Sequence, residues 1–229
     1  MNLHSEWLET AVGQALLSQE RAQVRAALQQ VFGDHILQIG SWGEPEPFLN
    51  SARTRYQAVI DTDHASGVDA VVSHGQLAVT TDCVDAVFLP HTLEFDQAPH
   101  AVLREVHRVL RPDGHLVVLG FNPVSWWGLR HQFADRGFPP GVVRYISRRR
   151  ITDWLSLLNL SVDRVTPIGL AQRHTRGLRG FVRRLGWFKP AYMVVATKES
   201  IPMTHVRPRI RPRAKLVSGL VNPTPRNAA

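Results

Sequence analysis

One cysteine, Cys83, is present in 229 residues. A single thiol can close no internal disulfide and supply no cysteine-based zinc cluster. That shortage fits a reducing compartment, and a cytoplasmic location is the expectation drawn from it. No run of about 18 apolar residues occurs, so no membrane-spanning helix is expected. Met1 to Trp7 contains Glu6 and has no basic cluster ahead of an apolar stretch, so it does not read as a secretory leader. The eleven histidines show neither H-x-x-x-H nor H-E-x-x-H spacing, which removes the helical zinc motifs.

What is present is unevenly spread. Met1 to Val143 carries nine Lys and Arg against sixteen Asp and Glu, a net of −7. Arg144 to Ala229 carries eighteen basic residues against three acidic ones, a net of +15. A basic half beside an acidic half suits a polyanionic partner such as RNA, DNA or an anionic membrane surface; a solvated basic surface is the competing explanation. Arg148, Arg149, Arg150, Arg183, Arg184, Arg207, Arg209, Arg211, Arg213 and Lys215 are the candidate contacts. The tail lacks interleaved aromatics, so base stacking is not indicated.

Periodicity divides the chain into an N-terminal helical segment (1–34), an α/β domain (35–199) and a Pro/Arg-rich tail (200–229) expected to be extended or disordered. Ser5 to Gln30 reads as helix, broken near Gly13 or Ser18, with Ser18 as a cap and Gly33 as a stop. His35–Gly40, Tyr56–Asp61, Asp69–Ser73, Asp85–Leu89 and Leu116–Leu119 read as short buried strands. Between the last two, Val102, Leu103, Val106, Val109 and Leu110 line one face of a helix from Pro99 to Leu110, which Pro112 and the Asp113-Gly114 turn close. Ser147–Asn159 reads as helix, Ser161–Ile168 as strand, Gly177–Leu185 as a basic helix and Ala191–Ala196 as a last strand. Continuously apolar strands alternating with helices imply a mostly parallel sheet covered on both faces.

The run Leu103-Arg104-Glu105-Val106-His107-Arg108-Val109-Leu110-Arg111-Pro112-Asp113-Gly114-His115-Leu116-Val117-Val118 resembles the fourth-helix-to-fifth-strand signature of class I S-adenosylmethionine-dependent methyltransferases, an L-x-E-x-x-R-V-L-x-P-G-G pattern leading into an apolar strand. Asp85-Ala86-Val87 resembles that family's fourth strand. The likeness runs in order from about Ile36 to Val195. Gly120 to Ser125 with Gly128-Leu129-Arg130, and Asp153 to Asn159, resemble a narrower, type 11-like bacterial branch, and no acceptor comes with it. The resemblance implies a Rossmann-like, seven-stranded, mostly parallel sheet with helices on both faces, S-adenosyl-L-methionine as cofactor, and transfer of its methyl group.

It also implies where the cofactor sits. Gly40-Ser41-Trp42-Gly43 occupies the place of the glycine-rich loop, where backbone approaches the cofactor's amino-acid part. The usual G-x-G-x-G spacing is broken, with Trp42 between the two glycines that remain. Asp61 stands where the family holds the ribose hydroxyls with an acid, with Asp63 as competitor. Ser73 and His74 take the place of an acid near the adenine, and Leu89 ends the fourth strand. His91 is the candidate general base, since a neutral imidazole there could take a proton from a hydroxyl or amine; a hydrogen-bonded structural histidine is the alternative, and Glu94 is a neighbour of equal standing. Cytosine C5 methylation is disfavoured because Cys83 lies in a loop away from the strand ends. Asn122-Pro123 lacks the second Pro and the Tyr of an N/D-P-P-Y run and follows the wrong strand. Trp126 and Trp127 could floor a substrate pocket.

Three other readings stay open. A non-catalytic relative would keep the fold and bind RNA or another polyanion through the basic half; Trp42 and Ser73 favour it. A nicotinamide-dependent dehydrogenase would share the loop and the acid but needs G-x-G-x-x-G. A nucleic-acid methyltransferase would join enzyme and basic tail.

Overall fold

A computed structural model describes residues 3–43, 46–64, 66–134, 137–170 and 189–200. The expected helix Gly177–Leu185, Arg183, Arg184 and the tail with Arg207, Arg209, Arg211, Arg213 and Lys215 lie outside them.

The described residues form seven strands in one sheet of order β3-β2-β1-β4-β5-β7-β6. The strands are β1 (Phe32–Ile39), β2 (Arg53–Asp61), β3 (Ala70–Val71), β4 (Val84–Pro90), β5 (Leu110–Phe121), β6 (Leu160–Ile168) and β7 (Ala191–Lys198). Pairing is parallel from β3 through β5. β7 runs antiparallel to both β5 and β6. The seven-stranded, mostly parallel expectation is met.

Both faces of the sheet are covered because alternate side chains of its central strands enter different clusters. Ala86 and Phe88 of β4 join Leu16, Val24 and Leu28 on one side. Val87 and Leu89 join Val102, Leu103 and Val106 of helix α5 (Pro99–Val109) on the other. Helix α7 (Arg148–Leu157) adds Ile151 and Leu155 to that second face.

The N-terminal segment breaks at neither Gly13 nor Ser18. It forms α1 (Leu3–Glu9) and α2 (Ala11–Leu28), and Thr10 is the cap: its hydroxyl oxygen accepts the Gly13 N–H at 3.1 Å. Gly13 sits inside α2 because α1 crosses there; a Cβ would lie 2.5 Å from the Trp7 carbonyl oxygen. The Ser18 hydroxyl donates within the helix, to Ala15. Gly33 belongs to β1 in extended conformation (φ 158°), pressed on Asp85. Two helices had no counterpart in the expectation, α4 (Thr92–Phe95) and α6 (Trp126–Phe133), while α3 (Glu46–Leu49) falls where Ser41 to Asn50 reads as a loop opening a short helix through Arg53. The third strand shrinks to two residues. At Pro112–Gly114 the chain bulges, with Asp113 at φ 63°, so Val84 pairs with Leu110 while Ala86 already pairs with His115. Among the described residues no helix is long and apolar enough to cross a membrane.

Candidate active site

Strand order reverses between β1 and β4, and ligands in open α/β sheets lie outside the carboxyl ends of strands at such a point. A cleft of about 450 Å³ occupies that place. Gly40 and Ser41 wall it after β1, Asp61, Thr62 and Asp63 after β2, Pro90 and Thr92 after β4. His74 lines it after β3, Phe95, Asp96 and Gln97 line it at the end of α4, and His4 of α1 and Gly141 complete the lining.

Close neighbours constrain the two glycines of the β1 turn. Gly40 has φ +89°, and a Cβ there would come within 2.7 Å of the Thr92 hydroxyl oxygen, a hydroxyl that donates to the Ile39 carbonyl. Gly43 has φ +66°, and its Cβ would meet Leu17 of α2 at 3.0 Å. Both glycines therefore answer to left-handed backbone and to neighbours behind the turn. Gln38, buried beneath, donates to the Gly40 carbonyl at 3.1 Å.

Asp61 holds the centre. Its Oδ2 accepts the Ser41 N–H at 2.9 Å and its Oδ1 the Thr62 N–H at 2.7 Å. His74 spans two acids, with Nε2 3.3 Å from Asp61 Oδ1 and Nδ1 3.2 Å from Asp96 Oδ2. Burial alone would raise the Asp61 pKa, but the contacts from His74, Ser41 and Thr62 outweigh it and bring it down to about 2. A carboxylate has about four lone-pair sites, so Asp61 keeps capacity for a hydroxyl donor. The Ser41 hydroxyl is buried without a hydrogen-bond partner. Asp61, Asp63 and Asp96 carry charge in the cleft, and neither Lys nor Arg lines it among the described residues. An orphaned hydroxyl, a spare acceptor and a negative field suit a nucleoside bearing a cationic sulfonium.

Trp42, flanked by the two glycines, turns away from the cleft. It is fully buried and donates its indole N–H to Glu20 Oε2 at 2.8 Å. Its neighbours include His91 at 4.6 Å and Phe121 at 5.7 Å between ring centroids.

The model of the family described as "Methyltransferase domain" matches residues 45–118. The chain is 32% identical over 188 residues to the Uncharacterized protein YafS of Escherichia coli (strain K12), covering 80% of this chain and 75% of that one. The chain belongs to the class I S-adenosylmethionine-dependent methyltransferases. S-adenosylmethionine is the cofactor of this methyltransferase. Solved structures share its fold at low identity. A SAM-dependent methyltransferase from Thermotoga maritima has a TM-score of 0.62 at 16% identity, covering 85% of this chain and 94% of that one. One from Archaeoglobus fulgidus has a TM-score of 0.61 at 14%, covering 84% and 98%. The [4+2]-cyclase SpnF has a TM-score of 0.60 at 17%, covering 84% of each.

Of the residues singled out in the methyltransferase sequence, Gly40, Ser41 and Asp61 meet in the cleft, and Asp63 joins them. Gly43, Ser73 and Leu89 do not line it; their neighbours His74 and Pro90 do. His91 requires a correction. Its ring is fully buried under the cleft, with Nε2 2.9 Å from Glu20 Oε1 and Nδ1 3.3 Å from Glu94 Oε2, so neither nitrogen is open to an acceptor. Burial would lower its pKa, yet the two carboxylates more than reverse that and raise it above the ordinary value. An imidazole with both nitrogens held by buried carboxylates is in no position to act as general base. Glu94 is equally enclosed, and burial raises its pKa. Trp127 is buried, whereas Trp126 is 70% exposed; neither lines the cleft.

Sequence reasoning missed His4, Thr92, Asp96 and Glu20. Only Thr92 had a signal, by standing just beyond the end of β4.

Proposed function

We propose that this cleft seats the cofactor's nucleoside against Asp61 and its amino-acid end against the Gly40–Ser41 turn, and that a small uncharged or cationic acceptor is methylated there. The observation that carries this reading is that Trp42 is folded into the core, leaving the cleft open despite the broken glycine pattern. When bound, the cofactor supplies an electrophilic methyl group on sulfur. The chain's own work is to orient, to exclude water and to accept a proton. Ser73 and Leu89 act through His74 and Pro90. His4 is the group proposed to take the acceptor's proton. It lines the cleft against Phe95, and burial lowers its pKa from the ordinary 6.5 despite the Asp61 charge, which favours the neutral, proton-accepting ring. The acidic lining works against a phosphate-bearing acceptor entering deeply. A cytoplasmic location accompanies the reading, supported by the single cysteine.

Calorimetric titration with S-adenosylhomocysteine tests it. Wild-type protein should bind, and Asp61→Ala should weaken binding at least tenfold, about 1.4 kcal/mol. No heat of binding at millimolar ligand would overturn it.

One observation supports a second reading, polyanion contact through the basic half. Arg148, Arg149 and Arg150 begin α7, where the helix dipole disfavours cations. Arg149 and Arg150 are exposed. Replacing all three with Ala should weaken RNA binding and flatten its salt dependence; unchanged binding would remove them from consideration.

A further inference from the structure

We infer that Glu20 is a positioning residue of the cofactor cleft: its single carboxylate fixes both turns that wall the cleft, through Trp42 on one and His91 on the other. This rests on the reading that the cleft holds the cofactor.

Glu20 lies on α2, fully buried, and does not line the cleft. Oε2 accepts from the Trp42 indole at 2.8 Å, and Oε1 stands 2.9 Å from His91 Nε2. Trp42 follows Ser41, and His91 is bracketed by Pro90 and Thr92; those three neighbours are cleft residues. The second carboxylate completes the set. Glu94 stands 3.3 Å from His91 Nδ1 and accepts the Phe121 N–H at 2.6 Å. The His91 ring stacks on Phe121 with centroids 3.9 Å apart. His91 itself has φ 58°, a left-handed conformation that a non-glycine residue holds only where its surroundings over-determine it. Two carboxylates and an imidazole in an apolar core are costly unless each is answered, and an apolar cluster could fill the same volume. What the carboxylate adds is direction: its two oxygens take separate hydrogen-bond partners, one on each turn, and tie both to a third element. Trp42 thereby acquires a purpose that the broken glycine spacing concealed.

The test compares Glu20→Gln, which keeps shape and one acceptor, with Val24→Ala, a buried change on the same helix outside the network. Glu20→Gln should weaken S-adenosylhomocysteine binding tenfold or more. Val24→Ala should lower Tm yet leave affinity within twofold. Trp42→Phe should weaken binding several-fold and add nothing once Glu20→Gln is present. Backbone amide shifts of Ser41 and Thr92, read by NMR without ligand, should move in Glu20→Gln and stay put in Val24→Ala. A folded Glu20→Gln protein with wild-type affinity and unmoved amides overturns the inference, as does equal weakening by Val24→Ala. Moved amides in a protein that binds no ligand even as wild type would uphold the positioning role and defeat the cofactor reading instead.

Discussion

In α5 and the start of β5, apolar side chains pack inward and charges stay near the surface; beneath the β1 and β4 turns, charges are inside and packed on by rings. Arg108 is 33% exposed and Glu105 19%. Their pair at 2.8 Å ties down the preceding loop, with Arg108 donating to the carbonyls of Leu77 and Val79 and Glu105 accepting the Leu77 N–H. Glu20, His91 and Glu94 are 0–1% exposed. The pair that carries the first arrangement sits three residues apart on one helix and can be copied as a motif, although the loop it holds lies 28–31 residues earlier. The second joins positions 71 and 27 residues apart and exists only once the chain has folded.

The contrast can be broken by measurement. Glu94→Ala leaves the His91 charge half-answered and the Phe121 N–H orphaned, so chemical denaturation should register a loss of about 3–5 kcal/mol. A loss below about 1 kcal/mol would erase the distinction between the regions. Stability against pH comes next. His91 is raised above its ordinary 6.5, so its contribution is complete below that value and disappears as pH climbs through the raised one. Asp61 is lowered from 3.8 to about 2, so its contribution is present above 3.8 and vanishes as pH falls toward the lower value. Tm should therefore drop at both extremes, and His91→Gln should shrink the alkaline drop alone; an identical alkaline drop in the variant would detach it from His91. Arg108→Ala should cost about 1 kcal/mol, because a half-exposed pair is screened by solvent. The smallest effect is expected from Trp126→Ala, within about 0.5 kcal/mol at an exposed position, read by the same denaturation curve.

The sheet was legible because apolar strands and the Pro99–Leu110 stripe depend on local pattern alone. So was the meeting of the Gly40–Ser41 turn and Asp61 in one cleft, since both sit at strand ends. Helix α6 carried a readable start in Ser125, whose hydroxyl accepts the Gly128 N–H at 3.2 Å, and a capping argument would have found it. α4 had no such signal: its cap is His91 in left-handed conformation without a side-chain cap bond, its ring held instead by Glu94 and by Glu20, 71 positions earlier. The orientation of Trp42 was illegible for the same reason. An indole between glycines reads as a rim residue until Glu20, 22 positions earlier, offers its N–H a buried acceptor.

The first thirty-odd residues look in sequence like an appendage ahead of the catalytic unit. Yet α2 places Leu16, Leu17, Val24 and Leu28 in the core and plants one acid under the cleft. A protein trimmed to begin at residue 35 would retain the stretch the family model matches, 45–118, while leaving the buried His91 ring without its Glu20 partner. Where this methyltransferase begins is thus a question about chemistry as much as about boundaries.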